Sequence, residues 1–216
     1  MASSSAAPTP AILTEARARL VELDPALGPL HAALPPFEWR VRPGGFAGLA
    51  RFIVDQQVSL ASAAAIWARV EAGLGGEVTG ARVLAHEDGL AGLGLSRPKI
   101  RYLMHLAEAE RDGRVDFAGL AAMDDEAAIS ALTALTGVGR WTAEVYLMFC
   151  EGRLDVFPAA DIALQEAMRW ADRARTRPAE KAAYARAELW RPYRGVAAHL
   201  LWAAYRAVKA GEIVLP

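Results

Sequence analysis

Apolar residues recur at helical spacing along most of the 216-residue chain. Between Ser96 and Asp112, for example, Ile100, Leu103, Met104 and Leu106 give one apolar face, the three-and-four spacing of a half-buried helix. Ala, Leu, Arg and Glu, all strong helix formers, fill the intervals. Strand-like runs shrink to weak hints at Val78 and Ile213–Leu215. Gly and Pro punctuate at helix-length intervals. The pattern predicts helices over 12–23, 45–56, 59–73, 80–86, 97–111, 125–134, 140–150, 161–171, 178–189 and 193–210, hence an all-α fold. Several starts have a mechanism. Ser59, Thr79 and Asp124 stand where a side-chain oxygen can accept from first-turn amides. Ser96 precedes Arg97-Pro98, with proline in the first turn, where its missing N–H costs nothing. No unit of about 20–50 residues repeats, which excludes a solenoid.

A hydrophobic content of 54% supports a real core and excludes wholesale disorder. The lone cysteine, Cys150, excludes an internal disulfide, a cysteine-rich zinc site and a cluster held by four cysteines of this chain. His31, His86, His105 and His199 lie far apart and form no metal-ligand spacing. No stretch reaches the roughly 18 apolar residues of a membrane span. Met1–Pro10 lacks a basic start and an apolar core, so it reads as a disordered tail rather than a secretory signal. These features lead to the expectation of a reduced, intracellular, soluble protein with no membrane partner; a cytoplasmic location and a monomeric state are expected alongside.

The formal charge of −1 argues against a binder driven by bulk charge. It hides a polarised chain. Residues 1–139 carry net −4 and residues 140–216 net +3, with eight basic residues against three acidic ones in 169–194.

The richest stretch is Leu132-Thr133-Ala134-Leu135-Thr136-Gly137-Val138-Gly139-Arg140-Trp141-Thr142-Ala143. One helix ends, Gly-Val-Gly turns tightly, and the next helix starts at once. Two glycines let backbone amides at a helix N-terminus approach a ligand closely, a geometry suited to phosphate, with the Thr142 hydroxyl as a further donor. The carbonyls that end the first helix could accept a monovalent cation. The same glycines also serve a plain helical corner. Further on, Phe157-Pro158-Ala159-Ala160-Asp161 leads into a new helix. Asp161 fits a helix cap, and it fits a catalytic carboxylate; the two roles are compatible.

The hairpin followed by Pro158-x-x-Asp161 resembles the helix-hairpin-helix DNA glycosylases, in particular the 3-methyladenine DNA glycosylase II type. Three more blocks carry the resemblance in order: Ile53-Val54-Asp55-Gln56-Gln57-Val58-Ser59, Gly94-Leu95-Ser96-Arg97-Pro98-Lys99-Ile100, and Trp190-Arg191-Pro192-Tyr193-Arg194 with Ala198-His199-Leu200-Leu201-Trp202. It runs from about Phe46 to Ala210.

The resemblance implies a two-lobed helical core with a cleft, and base excision repair of damaged double-stranded DNA. Asp161 takes the catalytic position, stabilising an oxocarbenium-like sugar or orienting water as an alkylated base leaves. Bifunctional relatives have a lysine where Trp141 stands, and tryptophan cannot form a Schiff base. A monofunctional glycosylase follows, with the bifunctional glycosylase/lyase as the runner-up. Flipping a base leaves a gap, and Gln57 matches the residue that fills it; as a bare residue it is also an ordinary polar helix end. Trp141 and Trp202 match an aromatic base pocket, although core packing alone could also employ Trp141. Trp39, Trp67, Trp170 and Trp190 read as core or interface. A family tyrosine falls on Val145, with Tyr146 pointing elsewhere, which implies a wider or less aromatic pocket.

The hairpin implies phosphate binding by the amides of Gly137 and Gly139, and a Na+ or K+ held by the carbonyls of Thr133, Leu135 and Val138. No cofactor is otherwise required, and the cysteine count fits the branch without an iron–sulfur cluster. Ser96, Arg97 and Lys99 form either a second phosphate contact or an ordinary solvated helix start. The expected organisation is a tail over 1–10, one lobe from 11–44 plus 141–216, and another over 45–140. Only about 44 residues precede Phe46, too few for the β-rich region of some relatives. A non-catalytic helix-hairpin-helix binding module is the alternative from another class, and Asp161 argues against it. An all-helical scaffold with no role on DNA is a third.

Overall fold

The computed structural model describes residues 7–213. Among these there is no strand, and the α-helices are α1 (Pro10–Leu23), α2 (Gly28–Ala33), α3 (Gly45–Asp55), α4 (Leu60–Gly73), α5 (Gly80–Ala85), α6 (Arg97–Arg111), α7 (Asp125–Thr133), α8 (Arg140–Glu151), α9 (Ile162–Ala171), α10 (Glu180–Ala187) and α11 (Arg194–Lys209). No helix among the described residues is long and apolar enough to cross a membrane.

The caps explain the starts. Ser59 Oγ accepts from Ser62 N at 3.2 Å, Thr79 Oγ1 from Arg82 N at 3.3 Å, and Asp124 Oδ1 from Ala127 N at 2.8 Å. Thr9 caps α1 in the same way, accepting from Ile12 N at 3.3 Å. Helix α1 therefore begins at Pro10, inside the segment expected as a tail; the rest of that tail, through residue 6, lies outside the described residues. Helix α2 was not expected, because Gly28-Pro29 reads as a breaker. Its proline sits in the first turn, where the absent N–H has no helical partner to lose. The strand hint at Val78 is a buried loop residue, and only Ile213 of the second hint is described.

The chain divides into two compact units. One spans Arg42–Tyr146. In it α6 packs against α3 and α5, around Phe46, Leu49, Ile53, Leu103 and Leu106. Gly45 N donates to the Tyr146 hydroxyl at 2.8 Å, and the Tyr146 ring meets Phe52 edge-on at 6.5 Å. These contacts hold the first turns of α8 in this unit. The boundaries fall at 41/42 and, inside α8, at 146/147, where the sequence reading placed them at 44/45 and 140/141.

The other unit joins the described residues up to Val41 with those from Leu147 onward. Helix α11 is its centre, buried continuously from Arg194 to Leu201 and packed on α9, α1 and α2. His199 lies in its middle. The imidazole stacks on Trp39 at 4.0 Å and meets Phe149 and Trp202 edge-on at 5.6 and 5.8 Å. Nδ1 donates to Gly195 O at 2.9 Å and Nε2 accepts from Arg40 N at 3.4 Å, which defines a neutral ring. Burial, aided by Arg40 and Arg206, pushes its pKa down from 6.5 to about 4.

A depressed histidine pKa contributes stability above the unfolded value that is lost as pH falls. Between pH 6.5 and about 4 the unfolded chain takes up a proton that the folded chain refuses. This one group should therefore cost up to about 3 kcal/mol across that window and no more below it. Urea denaturation of wild type and His199→Gln from pH 7 to pH 4 should give curves that converge as pH falls. Parallel curves would contradict a neutral, buried His199.

Candidate active site

The hairpin lies in the first unit. Helix α7 ends at Thr133, and the turn is closed by Leu135 N donating to Leu132 O and Val138 N to Leu135 O, both at 3.1 Å. Gly139 O accepts from Ala143 N at 3.0 Å, so the amides preceding that first bond of α8 project from its N-terminus. Gly137 takes φ +88°, and a Cβ there would collide with the Tyr102 ring. At Gly139 a Cβ would meet open space, so the missing side chain keeps the turn accessible. Arg140 clamps the two helices, donating to Glu126 Oε1 at 2.6 Å and Oε2 at 3.0 Å, and to the buried Glu144 at 3.0 Å.

Two expected phosphate ligands are corrected. Lys99 is only 8% exposed, and its Nζ donates to Val54 O at 2.7 Å inside the unit. Burial lowers its pKa, countered by the charge of Asp55. Thr142 is 4% exposed, with Oγ1 accepting from Gln56 Nε2 at 3.4 Å, so its side chain is enclosed rather than presented to solvent. Ser96 holds the position before α6 and is exposed, but its side chain makes no cap bond. Trp141 is 37% exposed, against the core-packing reading, whereas Trp39, Trp67 and Trp190 are buried as expected. Trp170, half-buried, stacks on Tyr205 at 5.7 Å. Val145 is buried in α8 and Tyr146 is committed to Gly45.

The carbonyls of Thr133, Leu135 and Val138 belong to one turn. They are neutral oxygens, and Leu135 O keeps a second lone pair beyond the one used by Val138 N. That donor set fits a monovalent cation. Among the described residues no three His, Cys, Asp or Glu converge into a metal-binding group.

Asp161 lies in the second unit and caps α9. One oxygen, Oδ1, accepts from Ala163 N at 2.9 Å, Leu164 N at 3.1 Å and Trp202 Nε1 at 3.2 Å. Cap and candidate carboxylate are thus one residue. The amides lend the positive end of the helix to the carboxylate, and Trp202 fixes its orientation from α11. Trp202 is seated against Phe149 at 5.6 Å and against His199. The sequence implies a base-pocket position for Trp202; the structure adds its bond to Asp161. His199, three residues before Trp202 on α11, packs behind the indole, a contact its spacing on the helix allows.

The basic 169–194 segment is largely spent within its own unit. Arg169 pairs with Glu166 at 2.8 Å, Arg186 with Asp24 and Asp172 at 2.6 and 2.8 Å, and Arg194 with Asp155 and Glu188, both at 2.9 Å.

Residues 50–192 match the family described as HhH-GPD superfamily base excision DNA repair protein. The chain belongs to this superfamily. It is 33% identical over 113 residues to a putative DNA-3-methyladenine glycosylase of Bacillus subtilis, covering 52% of this chain and 39% of that protein. It resembles a crystal structure of a DNA-3-methyladenine glycosidase from Bacillus halodurans with TM-score 0.82 and 31% identity, covering 90% and 91% of the two chains. A structure of Schizosaccharomyces pombe 3-methyladenine DNA glycosylase with abasic DNA gives TM-score 0.77 and 27% identity, covering 89% and 97%. The chain spans only 39% and 48% of the length of the first two curated relatives it matches.

The two hairpin glycines should respond differently to substitution. Gly137→Ala combines a left-handed backbone with a clash on Tyr102 and should lose about 1–3 kcal/mol in denaturant unfolding. Gly139→Ala should stay within about 0.5 kcal/mol of wild type. Equal losses at both positions would contradict the distinction between a packed and an open glycine.

Proposed function

We propose that this protein is a monofunctional DNA glycosylase that hydrolyses the N-glycosidic bond of alkylated, chiefly methylated, purines in double-stranded DNA. The observation that carries the reading is Asp161, held by two helix amides and the Trp202 indole in a chain whose family also supplies the hairpin.

The chemistry follows from the residue types. As the C1′–N bond breaks, its electron pair goes to the departing base and positive charge develops on the sugar. Asp161 stabilises that charge and orients the water that attacks C1′. Water supplies the new C1′ oxygen and releases a proton. An N-alkylated purine is already cationic and leaves as a neutral molecule, so no strong general acid is required. Trp141 cannot attack the sugar to form an imine, so the reaction stops at an abasic site.

The first unit supplies the grip on DNA in this reading. The amides of Gly137 and Gly139 take a phosphate, and Thr133, Leu135 and Val138 would hold a Na+ or K+ beside it. Gln57, exposed at the end of α3, fills the gap left by the flipped base. The faces of Trp141 and Trp202 suit stacking with a cationic base. The protein acts as a monomer.

The test is release of free base from methylated duplex DNA by purified protein. Wild type should release methylated purines, and Asp161→Asn should be slower by about 100-fold or more. The abasic product should stay uncut until base is added. Absence of release by wild type, or undiminished release by the variant, would overturn the assignment.

A further inference from the structure

Gln57 has φ +57°, a left-handed conformation that is rare for a residue other than glycine. Such a residue persists where its surroundings hold it. Three successive residues before it are anchored within the same unit. Val54 O accepts from the buried Lys99 Nζ at 2.7 Å. The Asp55 carboxylate accepts from Arg42 Nη1 at 3.0 Å and from Arg51 Nε at 2.8 Å. Gln56 Nε2 donates to Gly137 O at 3.1 Å and lies 3.4 Å from Thr142 Oγ1.

The last contact differs in kind from the others. Lys99, Arg42 and Arg51 tie the end of α3 to the body of the unit. Gln56 ties it to the hairpin itself, and at both sides of its turn: Gly137 within the turn and Thr142 in the first turn of α8. The residue that bonds the hairpin is thus the chain neighbour of the one that projects into solvent. A shift of the hairpin pulls on Gly137 O and, through Gln56, on the backbone of Gln57. We propose that Gln56 is a positioning residue that holds the Gln57 loop and the phosphate-gripping turn in one register, so that gripping the backbone and filling the gap occur as one event. This rests on the reading of the hairpin and Gln57 given under Proposed function.

The experiment reads DNA distortion separately from chemistry. A duplex carries a tetrahydrofuran abasic analogue with 2-aminopurine beside it, whose fluorescence rises when it is unstacked. At saturating protein, wild type should raise the signal. Gln56→Met, which keeps the volume and removes the donor, should cut the rise about tenfold, the upper worth of such a hydrogen bond. Gln57→Ala should behave alike, and Gln56→Glu, which keeps the length but offers no proton to Gly137 O near neutral pH, should match Gln56→Met. Thermal unfolding of Gln56→Met should stay within a few degrees of wild type. A full fluorescence rise with Gln56→Met, or no rise with wild type, would overturn the coupling. Failure of wild type to release base while these fluorescence differences persist would instead overturn the glycosylase reading alone.

Discussion

One oxygen of Asp161 receives two main-chain amides of α9 and the indole N–H of Trp202. These three donors tie the carboxylate to two packed helices of the second unit, α9 and α11. The amides belong to the first turn of a helix, so the carboxylate cannot leave without uncapping it. The indole belongs to α11, whose burial from Arg194 to Leu201 makes it the most enclosed helix of the unit. Behind the indole stand Phe149 and a neutral His199, itself stacked on Trp39. A charged imidazolium in that position would be unpaired in an apolar setting, which is the physical reason for its depressed pKa.

In the first unit the hairpin leaves backbone open at the N-terminus of α8. A helix N-terminus offers amides, but side chains ordinarily crowd its approach. Gly139 removes the crowding, while Gly137 allows the turn to lie flat on Tyr102. Arg140 then fixes the two helices through Glu126 and Glu144, so its charge is committed to architecture. Positive charge in the described structure is mostly of this kind. Much of the basic stretch that the sequence shows at 169–194 is engaged in internal ion pairs.

The helices were readable from the chain because their causes are local. Ser59, Thr79 and Asp124 cap where their position beside an apolar run says they should. The cap role of Asp161 was readable for the same reason, since it stands directly before α9. Lys99 and Thr142 were misread for the opposite reason. Whether a lysine at a helix start faces solvent depends on Val54, 45 residues earlier, and Thr142 is enclosed by Gln56, 86 residues away. Gln56 stands in the sequence only as a member of the Ile53–Ser59 block, and nothing in its chain neighbours marks its link to Gly137, 81 residues away. Helix α2 was missed because proline in a first turn and proline as a breaker look alike without the caps around them.

The central claim is that Asp161 faces developing positive charge on the sugar. Equilibrium binding to two duplexes measures this directly, one with a neutral tetrahydrofuran abasic site and one with a protonated pyrrolidine analogue in its place. Wild type should prefer the cationic duplex by about tenfold or more, equivalent to about 1.4 kcal/mol, and Asp161→Asn should lose the preference while still binding the neutral duplex. Equal affinity of wild type for both duplexes, or a preference that survives in Asp161→Asn, would contradict the account.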